Sequence, residues 1–214
     1  MKDFLQRFLK VSQQLTYFLW TSAILLIAVL TTRLFVSRTD AYFYINRLHT
    51  PFGDFFFSYV TELGSVSAAV LISLLLLIFK RRIGWALATA YLFTSAISFS
   101  LKVLVGFPRP HRYFFTRLHD IYFVPGITVL DNFRSFPSGH TVCAFTAATV
   151  LSYFARNKHW SWLYFALAAL TGYSRMYLSQ HFLEDVIAGM VLGVFFTMVW
   201  LTFITGKLGE ESGL

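Results

Sequence analysis

Six stretches of this chain carry almost no charge: residues 15–32, 55–79, 83–101, 138–155, 160–173 and 186–205, with Glu62 the one acid among them. A helix needs about 20 apolar residues to cross roughly 30 Å of hydrocarbon. In lipid a backbone must satisfy its own hydrogen bonds, which restricts spanning segments to helices or closed barrels. The six runs, the fourth and fifth of them short, predict six helical spans and an all-α integral membrane bundle. Composition agrees: 57% of the 214 residues are hydrophobic, 13% are charged and the mean hydropathy is +0.61, which excludes an ordinary soluble domain. The formal charge of +8 does not indicate nucleic acid, because the basic residues are scattered between apolar runs rather than gathered on one face. A single cysteine, Cys143, excludes an internal disulfide.

Three parts are expected along the chain. Residues 1–14 place Phe4, Leu5, Phe8, Leu9 and Val11 at helical spacing, so they read as an amphipathic segment on the membrane surface with Lys2, Arg7 and Lys10 toward headgroups. Residues 15–205 form one six-helix domain, and residues 206–214 a cytoplasmic tail. No small-residue cleavage site follows the first apolar run, so no cleaved signal peptide is expected. With the N-terminus in the cytoplasm, Lys and Arg divide evenly between the two sides. The tight Lys80-Arg81-Arg82 turn tips the balance, since short basic loops at helix ends weigh most in the positive-inside bias.

Parity then carries the argument to chemistry. With six crossings, the end of the third helix, the start of the fourth, the end of the fifth and the start of the sixth share one face. Those ends hold the unusual residues: Lys102, Arg109 and Pro110; Pro137 to His140; Ser174 and Arg175; His181 and Asp185. Charge at membrane depth is costly and usually faces a partner or a polar cavity, so convergence on one face predicts a single site.

Three segments carry a more specific pattern. Lys102-VLVGFP-Arg109-Pro110, then Pro-Ser-Gly-His at 137–140, then Ser174-Arg175-MYLSQ-His181-FLE-Asp185 resemble, in order and spacing, the three signature motifs of the type 2 phosphatidic acid phosphatase superfamily. The resemblance implies a membrane lipid phosphatase with a phosphohistidine intermediate, a haloperoxidase-like core and no cofactor. It also implies a bacterial cytoplasmic membrane, in which helix parity and the basic turn at 80–82 put the site on the outer face. Undecaprenyl diphosphate, phosphatidylglycerol phosphate, phosphatidic acid and lipid A phosphates all remain open as substrates. A phosphotransferase of the same superfamily, or a catalytically silent lipid-binding or transport protein, is the alternative.

The residue types suit that chemistry on their own terms. Phosphoryl transfer is catalysed by positioning and by stabilising charge on the equatorial oxygens. Lys102 supplies a point charge, and Arg109 and Arg175 supply planar forks for bidentate contact. Ser138 and Gly139 open a helix N-terminus, where backbone N–H groups favour anions. His181 and Asp185 stand four apart, so the carboxylate can hold one imidazole nitrogen while the other attacks phosphorus. His140 is then left for general acid–base work. Glu184 lies about 100° around the helix from Asp185 and is expected in solvent or against lipid headgroups. Glu62 is open between an interfacial position and a hydrogen bond near the site. His111, Arg112, Arg117, His119 and Arg134 read as loop residues or headgroup contacts, and His49 and His159 as interfacial. No HExxH, cysteine pair or aspartate cluster points to a metal.

Overall fold

The structure, a computed structural model, describes residues 2–210. The helices, in chain order, are α1 (Lys2–Gln14), α2 (Thr16–Phe35), α3 (Arg38–Asn46), α4 (Pro51–Val60), α5 (Val66–Phe79), α6 (Arg81–Val105), α7 (Pro110–Tyr113), α8 (Gly139–Phe154), α9 (Trp160–Tyr177) and α10 (Leu183–Glu210). Two 3-10 turns join them, Thr61–Gly64 between α4 and α5, and Phe115–Asp120 after α7. The described residues contain no strand.

Helices α2, α6 and α10 are each long and apolar enough to cross a membrane, and the pair α4 and α5, bent by 57° at the 3-10 turn, supplies a fourth crossing when taken as one span. Outward-facing residues confirm a lipid solvent. On α2, Trp20, Ile24, Ile27, Leu30, Leu34 and Phe35 are exposed, and α5 exposes Val70, Leu71, Leu74, Ile78 and Phe79. Apolar surface this continuous would drive a water-soluble protein to associate.

Helices α8 and α9, with 16 and 18 residues, are about 24 and 27 Å long and pack with these helices in one bundle. α8 lies at its centre, packed by α6, α9 and α10, and buries Val142, Phe145, Ala148 and Val150 together with Thr141, Thr146, Thr149 and Ser152. Hydroxyls there bond within or between helices, Thr149 Oγ1 donating to the Phe145 carbonyl at 2.7 Å and Thr146 Oγ1 to Thr94 Oγ1 at 3.0 Å, while Ser152 Oγ is buried without a partner among the described residues. Small residues let the backbones approach, as in membrane helix pairs generally. A Cβ on Gly193 of α10 would stand 2.9 Å from the Val142 carbonyl oxygen.

Several boundaries depart from the sequence reading. The second apolar run is not one helix: Gly64 ends the first half, and Ser65 caps α5 by accepting from the Ala68 amide at 3.1 Å. The connection between the first two runs contains a helix of its own, α3, capped by Ser37, whose Oγ accepts from the Asp40 amide. α1 packs against α10 and α8, burying Val11 beside Phe145 and Leu201. α10 runs on through 206–210, residues expected in a tail, while 211–214 lie outside the described residues.

Candidate active site

Four helix ends meet on one side of the bundle, and each end has a local cause. α6 stops after Val105 because Gly106 takes the left-handed conformation, φ +57°. α8 starts at Gly139 because Ser138 accepts a 2.9 Å hydrogen bond from Thr141 Oγ1 and a 3.5 Å bond from the Thr141 amide. α9 closes just beyond Arg175, and α10 opens with Leu183, leaving His181 in the short turn between them. The Ser138 amide donates to the Asp185 carbonyl at 2.9 Å, which joins the start of α8 to the start of α10.

The side chains predicted for the site gather where these ends meet. His181, 2% exposed, stands with Nδ1 3.4 Å from Asp185 Oδ2. Its Nε2 is 3.2 Å from Arg109 Nη1. A guanidinium only donates, so Nε2 accepts and the proton sits on Nδ1, facing the carboxylate. Arg109 Nη1 also donates to the Gln180 carbonyl at 2.8 Å, and its Nε to Asn132 Oδ1 at 3.1 Å. Lys102 Nζ donates to the Pro137 carbonyl and, at 3.1 Å, to the Arg134 carbonyl. Its stem borders Gly139, where an added Cβ would lie 3.7 Å from Lys102 Cε. Arg175, 7% exposed, donates from Nη1 to Thr61 Oγ1 at 2.7 Å, and its buried Nε has no protein partner among the described residues.

Electrostatics follow from this crowding. Burial, and then the cationic Arg109, Arg175 and Lys102, hold the His181 imidazole well below the usual histidine range, so it stays neutral near pH 7. Burial also pulls Arg109 down to about 10, with Asp185 acting the other way, and it remains a cation. A cluster of three cations with a neutral imidazole and a helix N-terminus favours an anion. Among the described residues no group of three or more His, Cys, Asp or Glu side chains is placed to hold a metal ion.

Sequence reasoning missed the groups that hold these residues in place. Ser135 Oγ donates to Asp185 Oδ2 at 2.5 Å and lies 3.5 Å from His181 Nδ1, and the Phe182 amide donates to the same carboxylate oxygen at 2.9 Å. Asn132 and Thr61 likewise act on Arg109 and Arg175 from distant parts of the chain. Glu184 is not free in solvent or headgroups. Its Oε1 pairs with Arg33 at 2.8 Å and Arg38 at 3.4 Å, and Arg38 also lies 4.5 Å from the Phe107 ring centre and 5.2 Å from that of Phe182. Glu62 is exposed. In the loop, Arg112 grips Asp131 with two bonds and Arg117 grips Asp120, as solvated pairs. His49 is stacked on Tyr177, 4.1 Å between ring centres, and His159 on Tyr17 at 5.4 Å.

Known proteins share both the sequence and the shape. Residues 82–208 match the PAP2 superfamily, a stretch containing all three motifs. The chain is 30% identical over 161 residues to an undecaprenyl-diphosphatase of Sulfolobus acidocaldarius, covering 72% of this chain and 69% of that one. It is 29% identical over 167 residues to a lipid A 4'-phosphatase of Bacteroides thetaiotaomicron, covering 73% and 72%. The crystal structure of Aquifex aeolicus LpxE is similar with a TM-score of 0.68 and 32% identity, over 78% of this chain and 96% of that chain. A transmembrane PAP2 type phosphatidylglycerolphosphate phosphatase from Bacillus subtilis, 21% identical with a TM-score of 0.60 over 92% and 96%, has the same fold.

Proposed function

The chain belongs to the PAP2 superfamily of membrane phosphatases, and on that premise we propose that it hydrolyses a lipid phosphomonoester or diphosphate through a phosphohistidine, without a metal ion. The observation that carries this reading is the pairing of His181: Nδ1 toward Asp185, and Nε2 toward Arg109 among the site's cations. In the first step Nε2 attacks phosphorus and the bond to the leaving oxygen breaks, His140 giving that oxygen a proton. In the second, His140 takes a proton from water as it attacks, the phosphorus–nitrogen bond breaks and inorganic phosphate leaves. Lys102, Arg109 and Arg175, with the Gly139 amide, hold the equatorial oxygens through both steps. Asp185 stabilises the His181 ring as its charge changes, and phosphate oxygens replace Nε2 as the ligand of Arg109.

The lipid phosphates and diphosphates named for the relatives suggest the substrate class, and undecaprenyl diphosphate and lipid A phosphates lead the candidates. The Lys80–Arg82 turn at the opposite end of the bundle supports a site that opens on the outer face of a bacterial cytoplasmic membrane.

Phosphate release from a panel of purified lipid phosphates, with and without EDTA, tests both substrate class and metal independence. Labelled substrate quenched in base should leave label on His181, and His181→Ala should lose turnover by about a thousandfold or more while remaining folded in detergent. Near-normal turnover by that variant, or strict dependence on added magnesium, would overturn the mechanism.

A further inference from the structure

The bend in the second span touches the site at a point outside all three motifs. Thr61, 4% exposed at the start of the 3-10 turn, accepts the 2.7 Å hydrogen bond from Arg175 Nη1. The two residues are 114 positions apart. The turn itself is pressed onto the helices that carry the site: a Cβ on Gly64 would meet the His140 carbonyl oxygen at 2.5 Å and Thr171 Cγ2 at 2.8 Å. Thr61 is therefore carried by a segment in direct contact with both α8 and α9.

A guanidinium is planar, so fixing one terminal nitrogen removes most of the freedom of the others. Arg175 has no carboxylate within ion-pairing distance among the described residues, and its Nε has no protein partner. The threonine oxygen is thus the protein anchor of a buried cation whose other donors stay open to an anion. A neutral hydroxyl suits this task better than an acid. A carboxylate at position 61 would hold Arg175 more tightly but would neutralise the charge that the phosphate needs and would repel the phosphate itself.

We propose that Thr61 is a positioning residue for the phosphate clamp: it sets the orientation of the Arg175 guanidinium, and the bend in the second span exists to deliver it. This rests on the reading of Arg175 as a phosphate ligand. Ordering a long side chain before the substrate arrives removes part of the cost of binding, so loss of the anchor weakens capture of phosphate as well as the chemical step.

The test uses the full-length protein in detergent. Thr61→Val keeps the shape and removes the acceptor, Thr61→Ala removes it without the added methyl, and Thr61→Ser restores it. With a lipid phosphate as substrate and orthovanadate as the anion probe, Thr61→Val and Thr61→Ala should each lose about tenfold in kcat/KM and in orthovanadate inhibition, a change of roughly 1.4 kcal/mol. Thr61→Ser should stay within about twofold of the parent, and all three should unfold near the parent temperature without ligand. In an Arg175→Ala background, Thr61→Val should produce no further loss. Parent-like kinetics for both acceptor-free variants would overturn the proposal, and so would a full tenfold loss that persists without Arg175. Parent-like activity of Arg175→Ala alone would instead remove Arg175 from the site, which separates failure of the underlying reading from failure of the anchor.

Discussion

At the scale of single residues, the state of His181 is set by its surroundings rather than by its own chemistry. Burial and three nearby cations favour the neutral imidazole, which is the form able to attack. Because its pKa lies below the usual value of about 6.5, the acidic limb of kcat/KM against pH should fall below that value. An acidic limb centred above pH 6.5 would show that the free enzyme binds a proton at His181 that this environment disfavours. Ser135 sharpens the same point. It shares one oxygen of Asp185 with the Phe182 amide, so Ser135→Ala leaves the carboxylate with one bond fewer and a less defined position. The expected cost is about tenfold in kcat with KM little changed, equivalent to roughly 1.4 kcal/mol. A change confined to KM would place Ser135 in substrate binding instead.

At the scale of elements, what could be read from the sequence divides along a physical line. The apolar runs and the three motifs were legible because each is local: a span declares itself over about 20 residues, and His181 and Asp185 sit four positions apart. Thr61, Asn132 and Ser135 were not legible, because their partners lie 114, 23 and 50 positions away and a lone serine or threonine in an apolar or loop context has no signature. The same holds for Glu184, whose partners Arg33 and Arg38 belong to α2 and α3. The break in the second span did leave a trace, since Gly64 and Ser65 follow Glu62 inside the apolar run, and a glycine before a helix-capping serine is a plausible end and restart. The close approach of that turn to α8 predicts the effect of filling it. Gly64→Ala puts a methyl 2.5 Å from a backbone oxygen that cannot swing aside, so the turn or the start of α8 must shift. A loss of roughly 1–3 kcal/mol in stability, seen as a lower unfolding temperature in detergent, should come with reduced turnover, because the residue displaced is His140. Unchanged unfolding and unchanged turnover would mean that the two elements are looser than their packing indicates.

At the scale of the whole molecule, the site and the basic turn occupy opposite ends of one bundle, and that separation decides which leaflet supplies the substrate. α6 begins at Arg81 and ends beside Lys102 and the loop that carries Arg109, so a single helix connects the Lys80–Arg82 turn to the phosphate cluster. With about 1.5 Å of rise per residue its 25 residues measure roughly 37 Å, more than the thickness of the hydrocarbon. If the basic turn is cytoplasmic, the site opens outward. In a Cys143→Ser background, Arg117→Cys should react with an impermeant maleimide in intact spheroplasts, since Arg117 is about half exposed on the loop beside the site. Arg81→Cys, exposed at the other end, should react only after permeabilisation. The reverse pattern would put the phosphate cluster in the cytoplasm and exclude lipids presented on the outer leaflet, whatever the purified enzyme hydrolyses in detergent. Sidedness therefore ranks the candidate substrates in a way that the proposed phosphate site cannot, because the phosphate group it would hold is common to all of those lipids.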